Sequence, residues 1–80
     1  MILKPMTTEK AVMAIESGNI LTFETEMKRT KQDIKQEVER LFDVKVEKVR
    51  TSIKDNKKQA YVKLNKKFPA IDVATKLGII

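Results

Sequence analysis

The spacing of apolar residues changes halfway along the run from residue 30 to residue 51. The first half places its apolar residues at helical intervals, at Ile34, Val38, Leu41 and Phe42. This spacing predicts a helix with one face turned toward a core. Thr30 stands where an N-cap belongs and Asp33 follows three residues later, a pattern typical of a capping box. We therefore predict a helix from Thr30 to about Phe42.

After residue 43 the apolar residues alternate instead, which predicts a third strand over residues 44–54. The alternating residues are Val44, Val46, Val49, Thr51 and Ile53. Their parity changes between Val46 and Val49, and one extra residue in the strand would explain it. We therefore predict a β-bulge near Glu47-Lys48.

The same reasoning predicts three elements before this run. Residues 1–5 form a short strand or arm that Pro5 ends. Thr7 or Thr8 caps a first helix that stops at Ser17-Gly18. Residues 19–27 alternate as a second strand, with Thr22, Glu24 and Glu26 on its polar side.

Two elements follow the third strand. Residues 55–58 form a polar hairpin turn before a fourth strand, whose apolar residues are Ala60, Val62 and Leu64. A short helix then contains Ile71, Val73, Ala74 and Leu77 and is closed by Gly78. Ile79 and Ile80 are expected to fold back onto the core.

The predicted order is β-α-β-α-β-β-α in a single domain, residues 1–80. Such connections favour an α+β fold in which helices cover one face of a sheet. We expect a four-stranded, mainly antiparallel sheet with helices packed on one face, a ferredoxin-like sandwich. The other face of the sheet would be open.

Composition excludes several kinds of chemistry. The chain has neither cysteine nor histidine, which removes thiolate nucleophiles, cysteine metal sites, and the commonest general base and metal ligand. We expect a protein that is not an enzyme and that has no cofactor and no metal. No apolar run reaches membrane-spanning length, and the short N-terminal arm does not fit a signal peptide. We expect a cytoplasmic protein.

The net charge of +6 is unevenly placed along the chain. Residues 1–27 hold two lysines against four acids, and residues 28–67 hold fourteen Lys or Arg against six acids. Residues 68–80 are neutral. This asymmetry suggests a polyanionic partner, with nucleic acid first and an anionic membrane second. A simple solvated, lysine-rich surface remains the alternative.

Candidate residues for binding a nucleic acid fall into three groups. Around the start of the second helix lie Lys28, Arg29, Lys31 and Lys35. One face of the third and fourth strands carries Arg50, Ser52, Lys54, Tyr61 and Lys63. The hairpin adds Lys57 and Lys58. Phosphates would satisfy these cations, and the alternatives are an exposed basic turn and a solvated sheet face.

Four segments together resemble one known family, the universal large-subunit ribosomal proteins at the polypeptide exit tunnel (the L-twenty-three family). Pro5–Lys10 resembles its Pro-x-x-Thr-Glu-Lys opening, and Thr30–Thr51 resembles its central block. Lys57–Leu64 resembles its closing strand, and Asp72–Ile80 is similar to archaeal members. Two departures are Gln59, where a basic residue is common, and a hairpin too short for the tunnel extension of bacterial relatives.

The resemblance implies a structural constituent of the large ribosomal subunit that binds ribosomal RNA near the tunnel exit. It also implies a neighbouring small ribosomal protein, and a platform for factors such as the signal recognition particle. Glu9 would be an exposed docking residue for such factors, or else an acid that stabilises the start of its helix. No membrane insertion is expected.

Two rival functions are left open by the residues. A small ferredoxin-like ligand-binding or regulatory domain would need a glycine-rich loop or a clustered polar pocket, and Gly18 and Gly78 are the only glycines. An enzyme of acylphosphatase type would need an anion-cradling loop beside a catalytic arginine and asparagine. No glycine loop flanks Arg29, Arg40 or Arg50.

Overall fold

A computed structural model describes residues 3–78 and has the predicted order of elements. They are β1 (Lys4–Pro5), α1 (Glu9–Gly18), β2 (Ile20–Thr25), α2 (Lys31–Phe42), β3 (Val46–Lys54), β4 (Lys57–Leu64) and α3 (Ala70–Leu77). The α+β class is confirmed. The predicted packing of Ile79 and Ile80 lies outside the described residues, as does the start of the N-terminal arm.

The four strands form one antiparallel sheet in the order β1-β2-β4-β3. β4 lies at the centre and pairs with both β2 and β3, so these three strands make most of the sheet. The register shifts between Val46 and Lys48, which confirms the predicted bulge. The Glu39 carboxylate of α2 accepts a hydrogen bond from the Val46 N–H at 3.0 Å and ties the helix to the strand beside this bulge.

Local sequence signals place the helix starts. The Thr8 hydroxyl accepts a hydrogen bond from the Ala11 N–H at 3.2 Å and begins α1. At α2, Thr30 and Asp33 each accept a hydrogen bond from the other's backbone N–H at 3.1 Å, so the predicted capping box is present. The first helix ends at Gly18, within the predicted stop at Ser17-Gly18. Asn19, not Gly18, adopts the left-handed conformation that closes it.

One apolar cluster joins all three helices to one face of the sheet. Its largest fully buried side chains are Phe23, Leu3, Leu21, Ile34, Leu64, Val38 and Val62. Phe42 was expected to be buried. It is only half-buried, and it stacks on Phe23 with ring centroids 6.2 Å apart. The end of α2 therefore leaves one side of Phe42 in solvent.

Several assignments by periodicity differ from the structure. Ile71 belongs to α3 but is 44% exposed, and Met27 lies beyond β2 with 47% exposure. Thr22 was expected on a solvated face but is buried at 8% exposure. The hairpin turn is Asp55-Asn56 alone, with both φ angles positive, so Lys57 and Lys58 already belong to β4.

Candidate nucleic-acid interface

The face of the sheet opposite the core, called the open face below, is basic. Strand register and side-chain alternation put the following residues on it: Lys4, Ile20, Thr22, Glu24, Lys48, Arg50, Ser52, Lys54, Lys57, Gln59, Tyr61 and Lys63. Six of these are cations and one is an acid. Glu24 forms an ion pair with Lys57, with 3.6 Å between Lys57 Nζ and Glu24 Oε1. Most of the positive charge on the face is therefore left available.

Tyr61 lies at the centre of the open face. Tyr61 belongs to β4, and its register partners are Thr22 on β2 and Arg50 on β3. Its hydroxyl donates a hydrogen bond to Gln59 Oε1 at 2.9 Å, along the same face. The tyrosine ring therefore separates two depressions in the surface, each of which it helps to line.

The first depression, called the cationic recess below, has a volume of about 270 Å³. Its lining residues are Ile20, Lys48, Arg50, Tyr61 and Lys63. Lys63 also lies 3.9 Å from the Glu47 carboxylate, and both partners are about half exposed, so solvent weakens this ion pair. Three cations beside an aromatic ring are suited to phosphate groups.

The second depression, called the α1 groove below, is larger, at about 480 Å³. The start of α1 forms one wall, and the open face forms the other. Its lining residues are Met6, Thr8, Glu9, Lys10, Ala11, Ala14, Thr22, Ser52, Lys54, Gln59 and Tyr61. The wall formed by α1 also explains why Thr22 is buried although its side chain is on the open face.

Glu9 lies in this groove and not apart from the basic block. Along the chain it is far from Ser52, Lys54 and Tyr61, in the part of the sequence where acids outnumber lysines. In the structure all four residues line the same groove. The N-terminal acid thus faces the basic sheet.

A second basic cluster, called the helix-side cluster, lies at the start of α2. It consists of Lys28, Arg29, Lys31, Lys35 and Lys58. Lys58 alternates with the open-face residues of β4, so it projects on the side of the helices, where its ammonium donates a hydrogen bond to the Arg29 carbonyl. The predicted RNA-binding residues therefore divide between two surfaces of the molecule.

One acidic residue and two buried polar atoms lie in or beside the helix-side cluster. The Thr30 backbone N–H donates a hydrogen bond to the Asp33 carboxylate, and this bond is the largest cause that lowers the pKa of Asp33 below its usual 3.8. The Thr30 side chain lowers the pKa further, and the positive charges of Arg29 and Lys58 have smaller effects. The ionised Asp33 carboxylate occupies the helix N-terminus. Thr25 Oγ1 and Arg29 Nε are buried without a hydrogen-bond partner among residues 3–78.

Sequence reasoning missed two residues of the open face that matter. Lys48 lines the cationic recess, and its place follows from the predicted bulge, since the residue after the bulge resumes the alternation. Gln59 was noted only as a departure from a family pattern, yet it is bonded to Tyr61 at the edge of the groove. Strand parity was the signal available for both.

Other classes of site have little support in the described part of the chain. Among residues 3–78 no three acidic side chains come together in a way that could hold a metal ion. No helix in that range is long and apolar enough to cross a membrane.

The family model described as ribosomal protein L23 matches residues 1–75. The match covers every strand and the first two helices, and therefore the open face, the α1 groove and the helix-side cluster.

Proposed function

Because this chain belongs to the ribosomal protein L23 family, and so is a structural protein of the large ribosomal subunit and not a member of an enzyme class, we propose that its open face binds the ribosomal RNA of that subunit. The single observation that carries this proposal is the arrangement of the cations. Lys48, Arg50 and Lys63 surround the cationic recess beside Tyr61. Their charges are spaced over two strands that the sheet holds rigid.

The form of the surface favours contacts to phosphates and to RNA shape. Charged side chains on adjacent strands can follow a phosphate backbone, and each neutralised phosphate releases counterions. A single tyrosine lies among these cations, whereas an RNA-recognition motif would present several aromatic residues for base stacking. Affinity from this face therefore comes mainly from the backbone of the RNA.

The helix-side cluster is the weaker of the two candidate surfaces. Lys28 is paired with Glu26 at 3.6 Å, and Lys58 is bonded to a backbone carbonyl. The Asp33 N–H, which could otherwise attract an anion, already donates to the Thr30 hydroxyl, and the Thr30 N–H donates to the Asp33 carboxylate. We propose that Lys31 and Lys35 make secondary contacts with RNA and that the open face supplies the principal ones.

The position in the ribosome is also a proposal. The Pro5–Lys10 opening and the central block support a place near the polypeptide exit tunnel of a cytoplasmic ribosome, beside another small ribosomal protein. The ending Asp72–Ile80 supports the archaeal form of the family. Glu9 is exposed at the start of α1 and offers a docking point for a factor such as the signal recognition particle.

A charge-matched pair of variants tests RNA binding by the open face. Arg50→Gln with Lys63→Gln removes two cations from the recess, while Lys66→Gln with Lys67→Gln removes two exposed cations from the loop after β4. Affinity for protein-free large-subunit RNA is measured by fluorescence anisotropy at fixed salt. We expect the first pair to weaken binding about tenfold or more and the second pair to have a small effect.

Equal losses from the two pairs would contradict the proposal. That outcome would mean that only net charge matters and that the arrangement on the sheet does not. Circular dichroism of both pairs checks that the fold is retained, which we expect because all four side chains lie outside the core.

A further inference from the structure

We propose that the α1 groove takes one unpaired base extruded from the RNA, while the cationic recess binds the phosphates beside it. This inference rests on the proposed RNA binding and specifies the feature of RNA that the face selects. The two depressions share Tyr61 as a common wall. A nucleotide could therefore place its base on one side of the ring and its phosphate on the other.

The size and shape of the groove favour a base over a duplex surface. At about 480 Å³ it falls in the range of small-molecule sites. Residues from the first turns of α1 line the groove opposite residues of the open face, so we expect an A-form helix lying across that face to leave the groove empty. Sequence-selective proteins commonly bind RNA bases that are splayed out of loops and bulges.

The groove combines an aromatic ring with hydrogen-bonding groups suited to a base edge. Tyr61 offers an aromatic ring, and the hydroxyls of Thr22 and Ser52 can each donate or accept. The Tyr61 hydroxyl donates to Gln59 Oε1 and so orients the carboxamide. Within residues 3–78 the Gln59 amide N–H groups have no hydrogen-bond acceptor, so they are free to donate to a base.

Four residues of α1 line the groove: Glu9 and Lys10, which are charged, and Ala11 and Ala14, which have small side chains. Ala11 is buried and Ala14 is half-buried, and both line the space. Neither belongs to the main apolar cluster. Alanine at these two positions keeps the groove open, and a larger residue at Ala14 would fill it without entering the core.

The test uses two hairpin RNAs that differ in one nucleotide. One hairpin is fully paired, and the other carries a single bulged fluorescent adenine analogue. For the wild-type chain we expect about tenfold tighter binding of the bulged hairpin, because stacking on an aromatic ring adds to the phosphate contacts. We also expect the fluorescence of the analogue to change as the base enters the groove.

Three variants separate the groove from the recess. Ala14→Leu fills the groove, and we expect it to remove the preference for the bulge while leaving the affinity for the paired hairpin within about twofold. Ser17→Leu adds the same side chain on the same helix, outside the groove, and should keep the preference. Gln59→Met keeps the length of the side chain but removes the carboxamide. It should reduce the preference for the bulged hairpin although it does not fill the groove.

The outcomes distinguish this inference from the proposed function. Equal affinity of the wild type for the two hairpins would overturn the base site and leave phosphate binding intact. Loss of the bulge preference in Ser17→Leu as well as in Ala14→Leu would also overturn it. Weak, salt-independent binding of both hairpins would contradict the proposed function itself. Free adenosine monophosphate bound as tightly as the bulged hairpin would indicate a small-ligand site instead.

Discussion

The side chain of Asn19 caps a helix that begins at Ala70, far along the chain. Asn19 Oδ1 accepts a hydrogen bond from the Ala70 N–H at 2.5 Å. Pro69, the residue at the N-cap of α3, makes no side-chain cap of its own. The amide nitrogen of Asn19 donates to the Leu64, Asn65 and Phe68 carbonyls at 3.2–3.3 Å. One carboxamide therefore connects the end of α1, the end of β4 and the start of α3.

We predict that Asn19→Gly destabilises the domain by about 2–3 kcal/mol, since it removes a helix cap and further part-buried hydrogen bonds. Glycine keeps the left-handed backbone that Asn19 adopts at φ 56°. Asn56→Gly is the matched control, because Asn56 also has a positive φ, of 62°, and lies in the exposed hairpin turn. Urea unfolding followed by circular dichroism gives both values. Equal destabilisation by the two variants would mean that the bridge contributes little.

The aromatic pair in the core gives a second prediction. Phe23 is fully buried, whereas Phe42 is half-buried and stacked on it. We expect Phe23→Ala to cost about 3–5 kcal/mol and Phe42→Ala about 2–3 kcal/mol, because part of the Phe42 ring already lies in water. The two free energies of unfolding are compared by urea titration at one temperature. A larger loss for Phe42→Ala would contradict the described end of α2.

The salt dependence of RNA binding gives a third prediction. Affinity for protein-free large-subunit RNA should fall steeply with salt, with a log–log slope of several units. Removing Arg50 and Lys63 should reduce that slope by about two, since each cation is expected to neutralise about one phosphate. Lys31→Glu with Lys35→Glu should also weaken binding, but less than the open-face pair. A slope unchanged by the open-face pair would exclude it from phosphate contact.

The docking role of Glu9 gives a fourth prediction. Glu9→Lys should allow assembly into large subunits but weaken recruitment of the signal recognition particle, because an acid suits a basic protein surface. Pelleting of purified variant ribosomes with labelled particle measures this. Glu9→Gln removes the charge without reversing it and should have a smaller effect on recruitment. Because Glu9 lines the α1 groove, RNA affinity of both variants is measured in parallel. Unchanged recruitment by Glu9→Lys would reduce Glu9 to a residue that starts a helix.

The capping box gives a fifth prediction, on acid stability. Hydrogen bonds from Thr30 lower the pKa of Asp33 below its usual 3.8. A lowered carboxyl pKa stabilises the fold above the unfolded value, and that contribution is lost as the pH falls through the lowered folded value. Asp33→Asn cannot titrate, so its free energy of unfolding should decrease less between pH 4 and the acid limit of folding. Urea midpoints measured against pH for both proteins test this, and parallel curves would contradict it.

The sequence was sufficient wherever structure is decided by neighbours along the chain. Thr30 and Asp33 form their capping box within one turn, and the spacing alone predicted it. The break in alternation between Val46 and Val49 predicted the bulge, because side chains on a strand must alternate. These signals together determined the element order and the face that each strand turns toward the helices.

The features that the sequence did not reveal depend on contacts between distant segments. Nothing near Asn19 indicates that its side chain caps α3, since the partner enters only when the chain has folded. The α1 groove likewise depends on where α1 lies against the sheet, and that position brought Glu9 to Tyr61. The placement of Lys58 required the exact length of the turn, which is two residues and not four.

Because β3 lies at the edge of the sheet, it affects the behaviour of the free protein, before any partner is bound. β3 is a nine-residue edge strand that presents unpaired backbone groups and the exposed side chain of Ile53. Such an edge invites another copy to add a strand, and lysines and bulges are the usual defence against it. Lys48 and Lys54 flank this edge, and the bulge at Glu47 bends it. Replacing Lys48 and Lys54 with neutral residues is expected to make the free protein aggregate before it is assembled.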